Sequence, residues 1–571
     1  MAPRTSGCAG RAPHWRNHRY DGGVTTAPRA FFTQDTGAAT IATALVGRVG
    51  SRWRLIGSLC LPIGSDPAAL GALLVERVTA ADPSIAVALG LDRTPLDEIP
   101  KVEVTSHPSP RLAVVAGSER ALVPLVAAAA RSGWRTSAAS AEAVDPLQMS
   151  TMLLDPGVDG ILTGAGEPPA ADERRALGEL GALVAAAAAR RPEIPIVLAG
   201  GMAIQLGAFG ESGEPGRRPA PVLVASAASG GPRGGALREV LTDLALPHDD
   251  ARRALGGAAN ALTDLLDRRL DIVDIGFDGA TRAAAWPTDS SVTAGMDLAV
   301  VPTAGLAPAD PDDEVVDRVA DWSPGTTDRH RLRDRMRELR IAPWADAAGD
   351  GVALRLAAVR SALGFLDRAT PEWSQRPAAD LLIATGGIWS GAPPASALVA
   401  VIDVLRRHGV VQVGMDHARL LAPLGSIPDL RERRAIMADL LDDLLLPLGT
   451  VVMPAGLRPG RNPGTLVLHR ARAGAEGNGA RDGQVSPIHL QPGGLASIWL
   501  GSGASAVAEF RFHDAVRLGG RGRHFAIDVT GGLVGLVVDL RGVPLKLPDR
   551  ADLRHDLLET WGTAVRAGAD W

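Results

Sequence analysis

The sequence predicts an α/β protein in two lobes, followed by an all-β C-terminal domain. Three observations carry that expectation. Apolar runs alternate with amphipathic segments from about residue 30 to residue 445, the pattern of a mostly buried sheet covered by helices. An Asp-x-Gly turn between two strand-like runs occurs twice, in "QDTGAATIATALV" from Gln34 and in "VDIGFDGATRAAAW" from Val273. From Leu446 the pattern changes to short strands separated by Gly, Pro and charged turns, which reads as a small sandwich or barrel.

The elements follow in order. "ATIATALVGRV" and "RWRLIGSLCLP" are two strands around a glycine turn. "PAALGALLVERVTAAD" has the apolar spacing of a helix. "RLAVVAG" is a buried strand, and "SERALVPLVAAAARSG" a helix with a Ser cap and a terminal Gly. "VDGILTGAGE" and "IPIVLAGG" are strands entering glycine turns, with the helix "ADERRALGELGALVAAAAARRP" between them. A weakly ordered linker is expected at "GESGEPGRRPAP" and "ASGGPRGG". The helix "DDARRALGGAANALTDLLDRRL" leads into the second Asp-x-Gly hairpin. "ADLLIATGGIWSGAPP" then gives a strand, a glycine turn and the helix "ASALVAVIDVLRRHG", and "IPDLRERRAIMADLLDDLLLP" is helical. Six short strands and a short helix near "RADLRHDLLETWGTAV" close the chain. The expected boundaries are a disordered basic tail over 1–27, lobe I over 28–268, lobe II over 269–445 and the β domain over 446–571.

Composition excludes several classes. The 571 residues are 46% hydrophobic and supply enough apolar surface for several cores. The net charge of -5 gives no basic excess for a phosphate backbone, so no nucleic acid partner is expected. Two cysteines, Cys8 and Cys60, cannot build a disulfide framework, which points to a reducing, cytoplasmic setting. No apolar run reaches the roughly 18 residues of a membrane helix, and the first residues lack a signal-peptide core. Neither Cys-x-x-Cys, a Walker loop nor a Gly-x-Ser-x-Gly elbow occurs. Lysine occurs only at Lys101 and Lys546, which leaves almost no lysine to bind phosphate.

The paired hairpins carry the chemistry. Each has an apolar approach, Asp-x-Gly, small residues, a Thr and a second strand. Glycine lets backbone N–H groups approach phosphate oxygens, and a Thr hydroxyl adds a donor. A carboxylate would repel phosphate directly and would act through Mg²⁺ and its waters. Two such hairpins, one per lobe, are the arrangement of actin-like ATPases. Asp-x-Gly alone is also common in ordinary turns, so the pairing matters more than either copy. In actin-like folds a later turn such as that at Gly386 and Gly387 would face the adenosine; it could also serve only as a tight strand-to-helix turn.

Several motifs together resemble the glutamate mutase L (MutL/GlmL) family of the actin/Hsp70/sugar-kinase superfamily. "DTGAATIA" resembles that family's Asp-Phe-Gly-Ser-Thr-Phe-Thr-Lys loop, and "DIGFDGATRA" its Asp-Ile-Gly-Gly-Ala-Thr-Thr-Asp loop. "ILTGAGE", "IPIVLAGG" and "IATGGIWSGAPP" are similar to its connecting segment, its Ala-Gly-Asn strand and its late glycine motif. "HARLLAPLGSI", "LGTVVMPAG" and "VTGGLVGLVVDLRGVPLKLP" look like longer members with a C-terminal β domain. The resemblance runs in order from Ala30 to the end. It implies a two-lobed actin-like, ribonuclease H-like ATPase fold and a chaperone or reactivating role toward a cobalamin-dependent mutase. ATP or ADP with Mg²⁺ would be the cofactor. Asp35 and Asp274 would organise the metal and water. Gly37, Thr40, Gly276, Gly279, Thr281, Gly386 and Gly387 would contact the nucleotide.

The departures from that pattern weaken the expected site. Ala38 and Ala39 replace the Ser-Thr pair, and Ala42 falls at the basic position. Each lost charged hydrogen bond is worth about 1.5–3 kcal/mol. Phe277 is expected to block backbone approach to phosphate. Asp278 adds negative charge, which Arg282 is expected to offset. The expectation is a weak or lost ATPase on a retained fold. The alternative is a non-catalytic scaffold whose β domain is the interaction surface. A small-molecule kinase lacks a placeable catalytic base.

Overall fold

A computed structural model describes residues 29–569 apart from 107–108, 167–172, 210–220, 226–234, 246–249, 289–294, 302–310, 312, 324–327, 343–351, 371–372, 374–375, 390–391 and 471–486. The expected basic tail, most of the expected linker and the loop after Arg470 lie outside the described residues.

Lobe I opens with an antiparallel meander of β1 (Ala30–Thr36), β2 (Thr40–Val49) and β3 (Arg52–Pro62). β4 (Lys101–Thr105) then pairs parallel with β1, giving the order β3-β2-β1-β4. The helices Pro67–Ala81 and Pro83–Leu89 make the crossover. Asp66 and Asp82 cap them with proline in the first turn, which satisfies amide groups the helices leave open.

A second sheet follows, made of β5 (Arg111–Ala116), β6 (Arg135–Ser140), β7 (Gly160–Ala165), β8 (Ile196–Gly200) and β9 (Val222–Ala225). It is parallel throughout, in the order β6-β5-β7-β8-β9. β7 and β8 are buried at every residue, which explains their unalternated apolar runs. Ser118 caps the helix Glu119–Arg131 by accepting from the Ala121 amide at 3.2 Å.

Lobe II repeats the first lobe's order. β10 (Leu270–Ile275), β11 (Ala280–Trp286) and β12 (Gly295–Val301) form the meander, β13 (Leu381–Thr385) pairs parallel with β10, and β14 (Gly409–Met415) pairs parallel with β13. This repeat of a three-strand meander with a parallel strand on its first member is the actin-like arrangement. The C-terminal strands are β15 (Leu446–Met453), β16 (Gly464–Arg470), β17 (Ile488–His489), β18 (Leu495–Ile498), β19 (Ser505–Leu518), β20 (Gly520–Thr530) and β21 (Gly535–Asp539). β15, β21 and β18 extend the lobe II sheet to eight strands, β12-β11-β10-β13-β14-β15-β21-β18. The position taken as a boundary before Leu446 therefore falls between two strands of one sheet. The other four form the sheet β17-β16-β19-β20. The closing helix, Ala551–Ala569, has 19 residues rather than a few turns, and its Trp561 and Val565 enter the lobe II core. No helix among the described residues is long and apolar enough to cross a membrane.

The lobes share a core around the helix Asp250–Leu266. Phe31, Val46 and Val102 of lobe I join Leu255, Leu262, Ile272 and Leu421 in one buried cluster. The helix crosses Leu421–Gly425 at two glycines. A Cβ on Gly425 would stand 2.0 Å from the Ala254 carbonyl oxygen, and one on Gly257 2.4 Å from that of Gly425. Only glycine permits this approach.

A buried charge network fastens the C-terminal strands to lobe II. Arg541 donates to Asp403 and Asp539 at 2.7 Å, Arg406 donates to Asp539 at 2.7 Å, and Arg541 lies 4.5 Å from the Trp561 ring centre. Burial by itself would raise the Asp539 pKa, but Arg541 and Arg406 outweigh it and hold it at about 2. A carboxylate depressed in the folded state stabilises above its unfolded pKa, near 3.9, and that contribution fades as pH falls toward 2. Asp539→Asn should therefore destabilise the chain at neutral pH. The wild-type advantage over it should shrink between about pH 4 and pH 2, read by chemical denaturation across that range. An unchanged difference would remove the charge from this account.

Candidate functional site

The two hairpins close in the same way. In the first, the Gly37 amide donates to the Thr40 carbonyl oxygen at 2.8 Å; in the second, the Gly276 amide donates to that of Gly279 at 2.9 Å. The carboxylates sit at matching register, Asp35 beside Val104 of β4 and Asp274 beside Thr385 of β13. The turns line one small cavity of about 50 Å³ together with Ser106, Arg252 and Arg419. Asp35, Gly37, Thr40, Asp274, Gly276, Gly279, Thr281 and Gly387 all line it. Gly386 does not. Its φ of +110° and its packing require glycine, since a Cβ would stand 2.3 Å from the Ile275 carbonyl oxygen and 2.4 Å from Asp274 Oδ1.

The residue that decides the site's state is Arg419. It lies in the turn after β14, in the left-handed region at φ +55°, and is 5% exposed. Its Nε donates to Asp35 Oδ2 at 2.8 Å, its Nη2 lies 2.7 Å from the same oxygen, and its Nη1 donates to Thr40 Oγ1 at 2.7 Å. A lobe II guanidinium is thus seated in the lobe I hairpin. A Cβ on Gly37 would stand 3.3 Å from its Nη2, and one on Gly387 2.7 Å from Thr40 Oγ1, the hydroxyl that accepts from it. Burial works against its charge, but Asp35, Cys60 and Asp274 outweigh that and hold its pKa above the usual arginine value.

The turn carrying Arg419 is fixed from below. Asp416 accepts from the Leu420 and Leu421 amides at 2.9 and 3.0 Å and from Thr385 Oγ1 at 3.0 Å. Burial raises the Asp416 pKa against the pull of these bonds. Arg252, from the helix shared by the lobes, also lines the cavity, with its Nη1 donating to Ser109 Oγ at 3.0 Å.

Of the expectations about the second hairpin, the one for Arg282 is corrected. Phe277 does line the cavity, but it is 3% exposed and packs in the lobe II core with Val273, Ile275 and Ala280. The Arg355 guanidinium lies 6.0 Å from its ring centre. Arg282 does not offset Asp278. Register places it opposite Val273, one residue past Thr281, so it points to the other face of the sheet. There it is 1% exposed, binds Asp271 through Nε and Nη2 at 2.9 and 2.6 Å, and lies 4.8 Å from the Trp373 ring centre. The turn "LTGAGE" is likewise elsewhere, at the end of β7 in the inserted sheet.

Arg419 was missed because it is remote from both motifs. One signal was legible: "MDHARLLAPLG" follows a strand with an Asp that caps an apolar helix, leaving a lone Arg in an otherwise buried run. In this closed arrangement the residues do not fit the Mg²⁺ that the resemblance implies. A guanidinium already neutralises Asp35, whose buried Oδ1 has no hydrogen-bond partner. No group of three or more His, Cys, Asp or Glu suited to a metal occurs among the described residues.

No protein-family model and no curated protein matches the chain. Among solved structures it is similar to component A of the Acidaminococcus fermentans (R)-2-hydroxyglutaryl-CoA dehydratase, at 7% identity and a TM-score of 0.24, covering 71% of this chain and 98% of that one. It is also similar to a ROK family glucokinase from Streptomyces griseus, solved with glucose and AMPPNP, at 11% identity, a TM-score of 0.27 and coverage of 71% and 99%. A Ppx/GppA family member from Aquifex aeolicus gives 10%, 0.20, and coverage of 72% and 86%. Likenesses of this degree say nothing of what this chain binds.

Removing one partner of a buried pair leaves the other charge stranded, which costs about 3–5 kcal/mol. Arg419→Ala should lower the first chemical-denaturation transition by that order. Asp35→Asn combined with Arg419→Met should recover much of the loss. Equal stability of wild type and Arg419→Ala would show that the pair does not hold the lobes.

Proposed function

We propose that this chain is an actin-like protein that acts on a protein partner and whose nucleotide cleft is latched shut by Arg419. The observation that carries the reading is the Arg419 guanidinium on Asp35 and Thr40, the hairpin where phosphate and metal would be expected. Pockets for nucleotide-sized ligands run to about 300–1,000 Å³, and this cavity has about 50 Å³. A nucleotide could enter only when the lobes part and the latch breaks. If breaking it costs about 3 kcal/mol, the apparent affinity falls roughly a hundredfold, because the open state is populated that rarely.

Within that frame the chain's own residues have defined tasks. In an open cleft, the Gly37 and Gly276 turns would offer backbone amides to phosphate, and Thr40 and Thr281 their hydroxyls. Once Arg419 has left, Asp35 and Asp274 would be the residues to hold Mg²⁺ through its waters, and so would bear on the phosphates only through that ion. Release of Arg419 from Asp35 would couple nucleotide occupancy to lobe separation, since the two compete for the same hairpin. The resemblance suggests a cobalamin-dependent mutase as the partner, with this chain as a chaperone or reactivating factor. A permanently closed scaffold is the second reading, and the small cavity favours it.

Calorimetric titration with Mg-ATP separates these readings. The latched reading expects weak binding by the wild type, binding tightened about tenfold or more by Arg419→Ala, and binding lost in Asp274→Asn. Absence of binding in Arg419→Ala, with its fold intact, would leave the scaffold. Tight binding with steady hydrolysis by the wild type would overturn the latch.

A further inference from the structure

The sheet β17-β16-β19-β20 carries an unspent charge pattern. β19 and β20 form a long antiparallel ribbon, and β20 is its outer edge. Arg511 lies between the buried Phe510 and Phe512, and Arg517 between the buried Val516 and Leu518, so both point away from the core. Register sets Arg521 directly opposite Arg517 and His524 directly opposite Arg511. Arg523 is exposed beside them. None of these four arginines has a side-chain hydrogen bond or ion pair among the described residues.

We propose that the solvent face of this ribbon docks an acidic protein surface, with Arg511, Arg517, Arg521 and Arg523 as its contacts. Charged residues on an edge strand also discourage strand-to-strand aggregation. That role does not require Arg517 and Arg521 face to face, a like-charge pairing that destabilises a ribbon. An acidic partner would reverse that cost, because each guanidinium can take a carboxylate through two parallel hydrogen bonds.

A protein partner suits the face better than nucleic acid. Carboxylates are interleaved with the arginines: Glu509 meets His469 at 3.3 Å, Asp514 meets Arg458 at 3.7 Å, and Asp528 is exposed on β20. A uniform phosphate backbone would meet those charges and a chain of net charge -5. A protein can place single carboxylates over single arginines. The inference stands whether or not the cleft binds a nucleotide.

The test uses the full chain and two probes, a fluorescent decaglutamate peptide and a short DNA duplex, at low and physiological salt. We expect the peptide to bind, more weakly as salt rises, and to lose affinity about tenfold or more when Arg517, Arg521 and Arg523 are all changed to Glu. A photo-crosslinking version of the peptide should label Ser505–Thr530 in the unmutated chain, a readout independent of how the variant folds. Unaltered peptide binding in the variant, or labelling elsewhere, overturns the proposal. Preferential, charge-dependent binding of the duplex overturns it in favour of a phosphate ligand.

Discussion

The state of the cleft depends on one buried ion pair. Arg419 from lobe II reaches Asp35 and Thr40 of lobe I, and everything around it is arranged to let it do so. Asp416 and Thr385 hold its turn, and Gly37 and Gly387 pack closely on the guanidinium and on its Thr40 acceptor. A buried pair of this kind is poor evidence of extra stability, because both charges have lost their water. It does, however, make the closed state specific. Shifting the lobes would strand a charge.

The rest of the molecule limits what can move. The C-terminal strands cannot swing as a separate body from lobe II, because β15, β21 and β18 belong to its sheet and Arg541 joins Asp539 to Asp403 behind it. Lobe I is attached by the apolar cluster around Asp250–Leu266 and by the latch. Exposed pairs such as Arg54 on Asp443 add little to that attachment at the rim, because solvent screens them. The opening proposed for the cleft would therefore run between lobe I and the combined remainder.

How much was legible follows from which forces leave a local trace. The two hairpins were readable because Asp, Gly and Thr at fixed spacing are required by local turn chemistry. Long helices such as Asp250–Leu266 were readable because burial repeats along them with helical period. β4, "KVEVT", and β6, "RTSAAS", went unread, being short, polar and formed only by pairing with β1 and β5. β14, "GVVQVGM", is similarly a strand by virtue of its neighbours β13 and β15. Arg282 is expected at the site from its position in the motif, yet strand alternation turns it to the other face, while Phe277 lines the cavity and also packs into the lobe II core.

The sequence by itself determined the alternation of strands and helices, the paired acidic hairpins and the change of pattern at Leu446. Each of these is written in residues close together, where turn geometry and burial period act directly. The tertiary structure alone decided that the hairpins face one cavity, that Arg419 fills one of them, and that the C-terminal strands continue the lobe II sheet. Arg419 and Asp35 are 384 residues apart, and no local rule pairs them. An ion pair of that kind exists only where packing has removed the water and left a buried carboxylate in need of a cation.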